Sequence, residues 1–337
     1  MEPLTVGIIG GLGRMGAWFA RIFSRAGYRV LISDLGTPLT NREVARTARV
    51  VLVSVPLEVF PEVVKEIAPV LSRDSGLIDL CSLKARQVQA MLEHTVCEVV
   101  GAHPLFGPYE KDLAGQTVAL CPARGEHWYR WFKTFLEEQG ARTVTVSPEE
   151  HDRLMALVQV LNHFWLMVLG EVLSESGLDL EKVVALSTPS FRHQLEILAR
   201  LALQDPDLYA AIQFDNPLGD EVRELFWRSA RRLSEMITRG ERKTYVREFE
   251  RVKALARKIG ALLGSLPAEE EEPDSHQKHE HTEELPPGHP SPEKAHSRVR
   301  FPEEFQAETD TSVEHQKKGQ FEPLGPPSPA QGKEDQE

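Results

Sequence analysis

Cysteine is scarce: the 337 residues contain three, Cys81, Cys97 and Cys121, spaced neither as a disulfide framework nor as a zinc site. That excludes a disulfide-stapled scaffold and suits a reducing compartment, so a cytoplasmic location is expected. No unbroken run of about 18 apolar residues occurs, and no transmembrane helix is expected. The N-terminus, MEPLTVGIIGG, has no basic segment ahead of an apolar stretch, so no secretory signal is expected. Basic charge is also lacking. The net charge is −12, and residues 267–337 alone carry 18 acidic against 7 basic side chains, which leaves the rest close to neutral. Without a basic field, nucleic acid is not an expected partner.

Residues 5–147 alternate short apolar runs with helical patterns. The runs are Val6–Gly10, Arg29–Ser33, Val50–Val55, Gly76–Leu80, Glu98–Ala102, Thr117–Leu120 and Thr143–Val146. Most are continuous rather than alternating, which implies burial on both faces, as in a parallel sheet between helical layers. Helices are expected at Met15–Ala26, Glu58–Leu71, Ala85–His94 and Trp128–Gln139. The expected fold is therefore α/β, a Rossmann-like doubly wound parallel sheet over residues 1–147.

From residue 148 to 266 no strand pattern remains, and an all-helical second domain is expected. The stripe Leu154, Leu157, Val158, Leu161, Trp165, Val168, Leu169 and Val172 is wide and nearly free of charge, which predicts burial on most sides. Such a helix suits a dimer interface, or else the interior of one subunit. Further helices are expected at Leu180–Leu186, Arg192–Leu203, Pro217–Arg239 and Lys243–Leu263. Residues 267–337 hold eleven prolines and no isoleucine, a composition expected to form a disordered acidic tail. His276, His279 and His281 within it suggest a solvated spacer more than a metal site.

Gly11-Leu-Gly13-Arg14-Met15-Gly16 follows the first strand and opens a helix. This is the dinucleotide fingerprint: a tight turn, close backbone approach to pyrophosphate, and close helix–strand contact, with the helix N-terminus facing the phosphates. Asp34, roughly 20 residues on at the end of the next strand, would bind a ribose 2′-hydroxyl and repel a 2′-phosphate, so NAD is favoured over NADP. Ser54-Val55-Pro56, ending the third strand, would lie along the cofactor.

His103 leaves a strand into Pro/Gly-rich chain, and Ser82 ends another, both where open α/β sheets bind ligands. An imidazole there suits proton removal near neutrality, although a strand-end histidine is as readily a structural hydrogen-bonding group. In the helical part, His151 and His163 share roughly one face, as do Arg192 and Arg200. Paired guanidiniums suit a dicarboxylate, or are ordinary surface charge. HisxxxHis and HExxH are absent, and no metal is expected.

The series GGLGRMG, VSVP, DLCSLK, GAHPLFGP, EHDRLMALVQVLNHF and ALSTPSFRHQLEILARLALQDPDLYAAI resembles the prephenate dehydrogenase family over about residues 4–262. The likeness is strongest to the dehydrogenase part of bacterial chorismate mutase–prephenate dehydrogenase. It implies an NAD-dependent oxidoreductase converting prephenate to 4-hydroxyphenylpyruvate in tyrosine biosynthesis. His103 would be the catalytic base, with Ser82 in its network. Arg200 would bind a substrate carboxylate, and Arg192 and His163 would line the pocket. The helical domain would form a homodimer. No chorismate mutase segment precedes residue 1, so a second activity is not expected. Some family members carry a pocket glutamate where this sequence reads Tyr109-Glu110. Arogenate is the alternative substrate, and a non-catalytic nucleotide-binding relative a more distant one. A β-hydroxyacid dehydrogenase would need a lysine on the long helix, and Leu154–Leu173 has none.

Overall fold

Apolar strands without a polar face need cover on both sides, and the chain supplies it. A computed structural model describes residues 3–265. Its first part runs β1 (Thr5–Ile9), α1 (Arg14–Arg25), β2 (Arg29–Ser33), α2 (Asn41–Thr47), β3 (Val50–Val53), α3 (Phe60–Ile67), β4 (Gly76–Asp79), α4 (Ala85–His94), β5 (Glu98–Pro104), β6 (Thr117–Arg124), α5 (His127–Glu138) and β7 (Arg142–Thr145). The strands form one sheet ordered β2-β1-β3-β4-β5-β6-β7. Along β3 every residue is buried, Val50 and Leu52 against one helical layer and Val51 and Val53 against the other. The first layer is aromatic, with Trp18, Phe19 and Phe23 of α1 meeting Trp128, Phe132 and Phe135 of α5. The second gathers Val44, Phe60, Val64, Ile67 and Met91 of α2, α3 and α4.

The doubly wound sheet is as expected, with one difference. β6 runs antiparallel to β5, and β7 then runs parallel to β6. No helix separates β5 from β6, so the chain turns back beside β5 instead of crossing over, as parallel pairing would require. The connection, residues 105–116, is pinned to α1 by Trp18 Nε1, which donates to the Glu110 carbonyl at 2.6 Å.

Beyond Pro148 the described chain is helical: α6 (Pro148–Met155), a widened π turn (Ala156–Leu161), α7 (Asn162–Glu175), α8 (Leu180–Ala185), α9 (Pro189–Ala199), a 3-10 turn (Arg200–Leu203), α10 (Pro206–Asp215), α11 (Gly219–Thr238) and α12 (Arg242–Leu262). Proline at the first turn and a side-chain cap from Ser147, Thr188 or Asp205 start three of these helices.

The apolar stripe corrects the expectation of burial on most sides. Met155, Ala156, Val160, Leu166 and Leu169 are buried, but Leu154, Leu157, Val158, Trp165, Met167 and Val172 are exposed on the single chain. The intramolecular partners, chiefly α11, cover one narrow face of a stretch that is apolar nearly all round. By length and composition the 28-residue stretch Pro148–Glu175, which contains an 18-residue window of mean hydropathy 1.5, also meets the measure of a membrane-crossing helix, unlike the expectation from unbroken apolar runs. Isolated polar residues such as Gln159 and His163 break the run while leaving the window apolar on average. The expectations for residues 267–337, including His276, His279 and His281, lie outside the described residues.

Phe132 is fully buried between both aromatic helices and the sheet. Phe132→Ala should cost about 3–5 kcal/mol, read as a lowered midpoint in chemical denaturation followed by circular dichroism.

Candidate active site

Sheet register sets the site. Ile9 pairs with Val53, Val53 with Asp79, and Asp79 with Gly101. Ile9, Val53, Asp79 and Gly101 therefore stand level near the carboxyl edge of four adjacent strands, with Gly11 and His103 each two residues further along the chain. Neighbouring strands lie about 4.8 Å apart, so glycine turn and imidazole are about 14 Å from each other across the crevice.

At one end is the turn. Gly10 has φ +80°, and a Cβ there would meet the Ser54 carbonyl oxygen at 2.1 Å; one at Gly16 would meet the Gly10 oxygen at 2.1 Å. Strand, turn and helix close up only because these positions lack side chains. Asp34 lies where the sequence puts it. Its Oδ2 accepts from Leu12 N at 2.8 Å and Gly13 N at 3.2 Å, fixing the loop. Gly13 caps α1 without a side-chain hydrogen bond, and the first turn holds no acidic residue. A Cβ at Gly13 would lie 3.2 Å from the Gly10 carbonyl oxygen, so the turn keeps a bare backbone there, and the N–H groups of the first turn of α1 fit an anionic pyrophosphate. Ser54 and Val55 press on Gly10, while Pro56 is exposed. Met15 packs a half-buried side chain against the core. Arg14 reaches across to the helical part, with Nη1 3.5 Å from the Leu203 carbonyl and Nη2 3.8 Å from Asp205. The Tyr109 hydroxyl donates to that same carbonyl at 2.8 Å.

At the other end His103 is buried. Its Nδ1 lies 2.9 Å from His151 Nε2, and His151 Nδ1 lies 2.8 Å from Asp152 Oδ1. Asp152 also accepts from Lys84 N at 2.8 Å and Ala85 N at 2.9 Å, so one carboxylate caps α4 and holds an imidazole. The Lys84 side chain is wholly buried and donates to Asp79 and to the Ala102 carbonyl. Its stem crosses β5 at Gly101, where a Cβ would lie 3.2 Å from Lys84 Cδ and 2.8 Å from Val88 Cγ2. Burial raises the Asp79 pKa, with Lys84 opposing. Burial, then the neighbouring His151 and Lys84 charges, hold His103 well below its ordinary value, so it is neutral near pH 7. The π turn brings Gln159 Nε2 to 3.4 Å from His103 Nε2, and Gln159 Oε1 is buried without a partner. Ser82 is half-buried just past the end of β4.

His163, one turn beyond Gln159, stacks on Tyr209 at 4.0 Å, with Nδ1 buried and unpartnered. Arg200 adjoins that pair, acting on the Tyr209 hydroxyl against the effect of burial. Arg192 is not gathered with it: its guanidinium donates to the Val184 carbonyl at 2.9 Å, tying α9 to α8. The shared helical face ends where the 3-10 turn begins at Arg200. Among the described residues no cluster of His, Cys, Asp or Glu suits a metal. Sequence reasoning missed Gln159, Tyr209 and the burial of Lys84. An isolated amide in the apolar stripe and a lysine five residues after a strand-end aspartate were available as signals for two of them.

Fold and crevice define a Rossmann-type nucleotide-binding protein with a helical second part. Residues 29–145 match the family model "Prephenate dehydrogenase, nucleotide-binding domain", and residues 147–251 match "Prephenate dehydrogenase, dimerization domain". The first match begins at β2, beyond the glycine turn. The chain is 34% identical to the T-protein of Enterobacter agglomerans, over 74% of this chain and 67% of that one. It is also 34% identical to a probable arogenate/prephenate dehydrogenase of Methanocaldococcus jannaschii, over 72% of this chain and 59% of that relative, so it spans little more than half of the latter's length. The crystal structure of an Aquifex aeolicus prephenate dehydrogenase in complex with hydroxyphenyl propionate and NAD+ shares the fold, at TM-score 0.61 and 24% identity, with 77% of this chain and 99% of that one covered. The chain belongs to the prephenate dehydrogenase family.

Burial lowers the His163 pKa from its ordinary 6.5 to about 4. The folded protein thus resists a proton that the unfolded chain takes up below about 6.5. Stability should be full above that pH and fall toward pH 4. In thermal melts across that range, His163→Gln should show a smaller loss than the unmodified protein.

Proposed function

We propose that this chain is an NAD-dependent dehydrogenase that oxidatively decarboxylates prephenate to 4-hydroxyphenylpyruvate, a step toward tyrosine. The observation that carries the reading is the sheet register that levels Ile9 with Gly101, so that the glycine turn and His103 both follow at the carboxyl edge of the sheet. The Aquifex relative's complex with hydroxyphenyl propionate and NAD+ supports it. The curated relatives' names include arogenate as well as prephenate, so both belong in the test.

Bound NAD would supply the hydride acceptor. The Gly11–Gly16 backbone would hold its pyrophosphate. Asp34, an anion already facing the loop, would accept from a ribose 2′-hydroxyl and repel a 2′-phosphate, favouring NAD over NADP. His103, kept neutral, would take the ring hydroxyl proton as the hydride leaves the same carbon. Carbon dioxide departs from the opposite ring carbon and leaves its bonding pair to aromatise the ring. His103 then returns the proton to the phenolic oxygen, so the exchange balances. Ser82, ending the neighbouring strand, would hold that hydroxyl. Arg200, with His163 beside it, would meet a substrate carboxylate, while Arg192 has the weaker claim because a backbone carbonyl occupies it.

The exposed apolar side chains of the Pro148–Glu175 stretch would form a homodimer interface, in keeping with the matched dimerization domain. Three free buried thiols suit a cytoplasmic setting.

Reduced cofactor formed from prephenate or arogenate with NAD or NADP, followed by absorbance, tests the reading. Prephenate with NAD should give the highest kcat/KM, and no turnover with either compound would end the proposal. His103→Asn should lower kcat at least about a hundredfold with little change in NAD affinity. A variant keeping half its turnover would remove His103 from the chemistry. Arg200→Ala should chiefly raise KM, and a loss confined to kcat would contradict its assigned role.

A further inference from the structure

The buried His151–Asp152 pair lies outside the roles assigned so far, and its geometry dictates which nitrogen of His103 can act. Asp152 is held as an acceptor by the Lys84 and Ala85 N–H groups at the start of α4. A carboxylate in that position requires a proton on His151 Nδ1, 2.8 Å away. We take His151 as uncharged in the resting enzyme, with Nε2 bare. His103 Nδ1, facing it at 2.9 Å, must therefore be the donor. The remaining nitrogen of His103, Nε2, is left unprotonated beside the Gln159 carboxamide. With His151 uncharged, these contacts and one fixed anion leave a single tautomer of His103.

We propose that His151, backed by Asp152, is a positioning residue that holds His103 in its Nδ1–H tautomer and carries the borrowed proton while the reaction runs. The inference rests on His103 being the base. When Nε2 takes the substrate's hydroxyl proton, the Nδ1 proton of His103 passes across the 2.9 Å contact to His151 Nε2. His103 is again neutral, now protonated at Nε2, and the positive charge rests on His151 against Asp152. Return of the proton to the phenolic oxygen reverses both transfers, so nothing is gained or lost. His103 is desolvated and feels the Lys84 ammonium, while His151 alone touches a carboxylate. The other titratable groups packed around them are Asp79 on β4, Cys121 on β6 and Glu149 on α6. Asp79 is paired with Lys84, and burial pushes the Cys121 thiol up to about 12, leaving it neutral. Glu149 acts on Cys121 as a minor influence.

Two measurements on the full-length protein test this. Histidine side-chain nitrogen NMR at pH 8 without substrate should show His103 protonated at Nδ1 and bare at Nε2, and His151 protonated at Nδ1. Signals are assigned by their loss in His103→Asn and His151→Gln. His151→Gln still offers His103 an acceptor but cannot take a proton. With whichever cyclohexadienyl acid the unmodified enzyme oxidises, its kcat should fall at least about tenfold with KM within about threefold. The acid limb of its pH profile should move to lower pH, because His103 alone binds a proton less readily. A merely structural role would leave that limb in place. A His103 protonated at Nε2, or a His151→Gln variant whose acid limb does not move, overturns the proposal. If the unmodified enzyme oxidises neither acid, the functional reading falls while the nitrogen spectrum still decides the tautomer.

Discussion

The structure depends most on the Asp152 carboxylate. It comes from the first helix after the sheet, yet it is buried against the start of α4 and accepts from Lys84 N, Ala85 N and His151 Nδ1. An anion out of water is costly unless its lone pairs are used, and here three donors and the positive end of a helix use them. Asn216 strengthens the junction by donating to the Asp152 carbonyl at 3.0 Å. The same contact therefore seats the helical part on the sheet and orients an imidazole toward His103. Removing it would loosen both together.

A second constraint lies one layer deeper. Lys84 and Asp79 form a wholly buried ion pair at the strand ends, and Asp79 Oδ2 has no partner. A hydrophobic pair in that place would often be as stable or more so, so the gain from the ions is not a matter of stability alone. The lysine also donates to the Ala102 carbonyl, immediately before His103, and its stem needs the bare backbone of Gly101 to pass. It thus fixes the strand that carries His103 and opposes a lasting positive charge there.

Much of this was legible in residue order. Val50–Val53 has no polar face, which is enough to require helices on both sides of the sheet, and both layers are present. Gly11, Gly13, Gly16 and Asp34 could be read as one device because spacing alone fixes a turn and the carboxylate facing it. Features created by distant contacts were not legible. Reversal of β6 depends on the absence of a helix between 105 and 116. Burial of Lys84 depends on the glycine beneath it. Exposure of Leu157, Val158 and Met167 depends on how little of the molecule covers that helix. Helical spacing grouped Arg192 with Arg200, but α9 gives way to a tighter turn at Arg200 and a carbonyl on α8 takes up Arg192.

Central to the account is an unprotonated His103 Nε2 turned toward the substrate's hydroxyl in a crevice shared with the glycine turn. A crystal structure of the protein with NAD and 4-hydroxyphenylpyruvate tests that most directly. The account predicts the phenolic oxygen within about 2.6–3.2 Å of His103 Nε2, with the pyrophosphate over Gly13. A product ring bound elsewhere, or a hydroxyl that reaches only other groups while His103 stays paired within the protein, would contradict it.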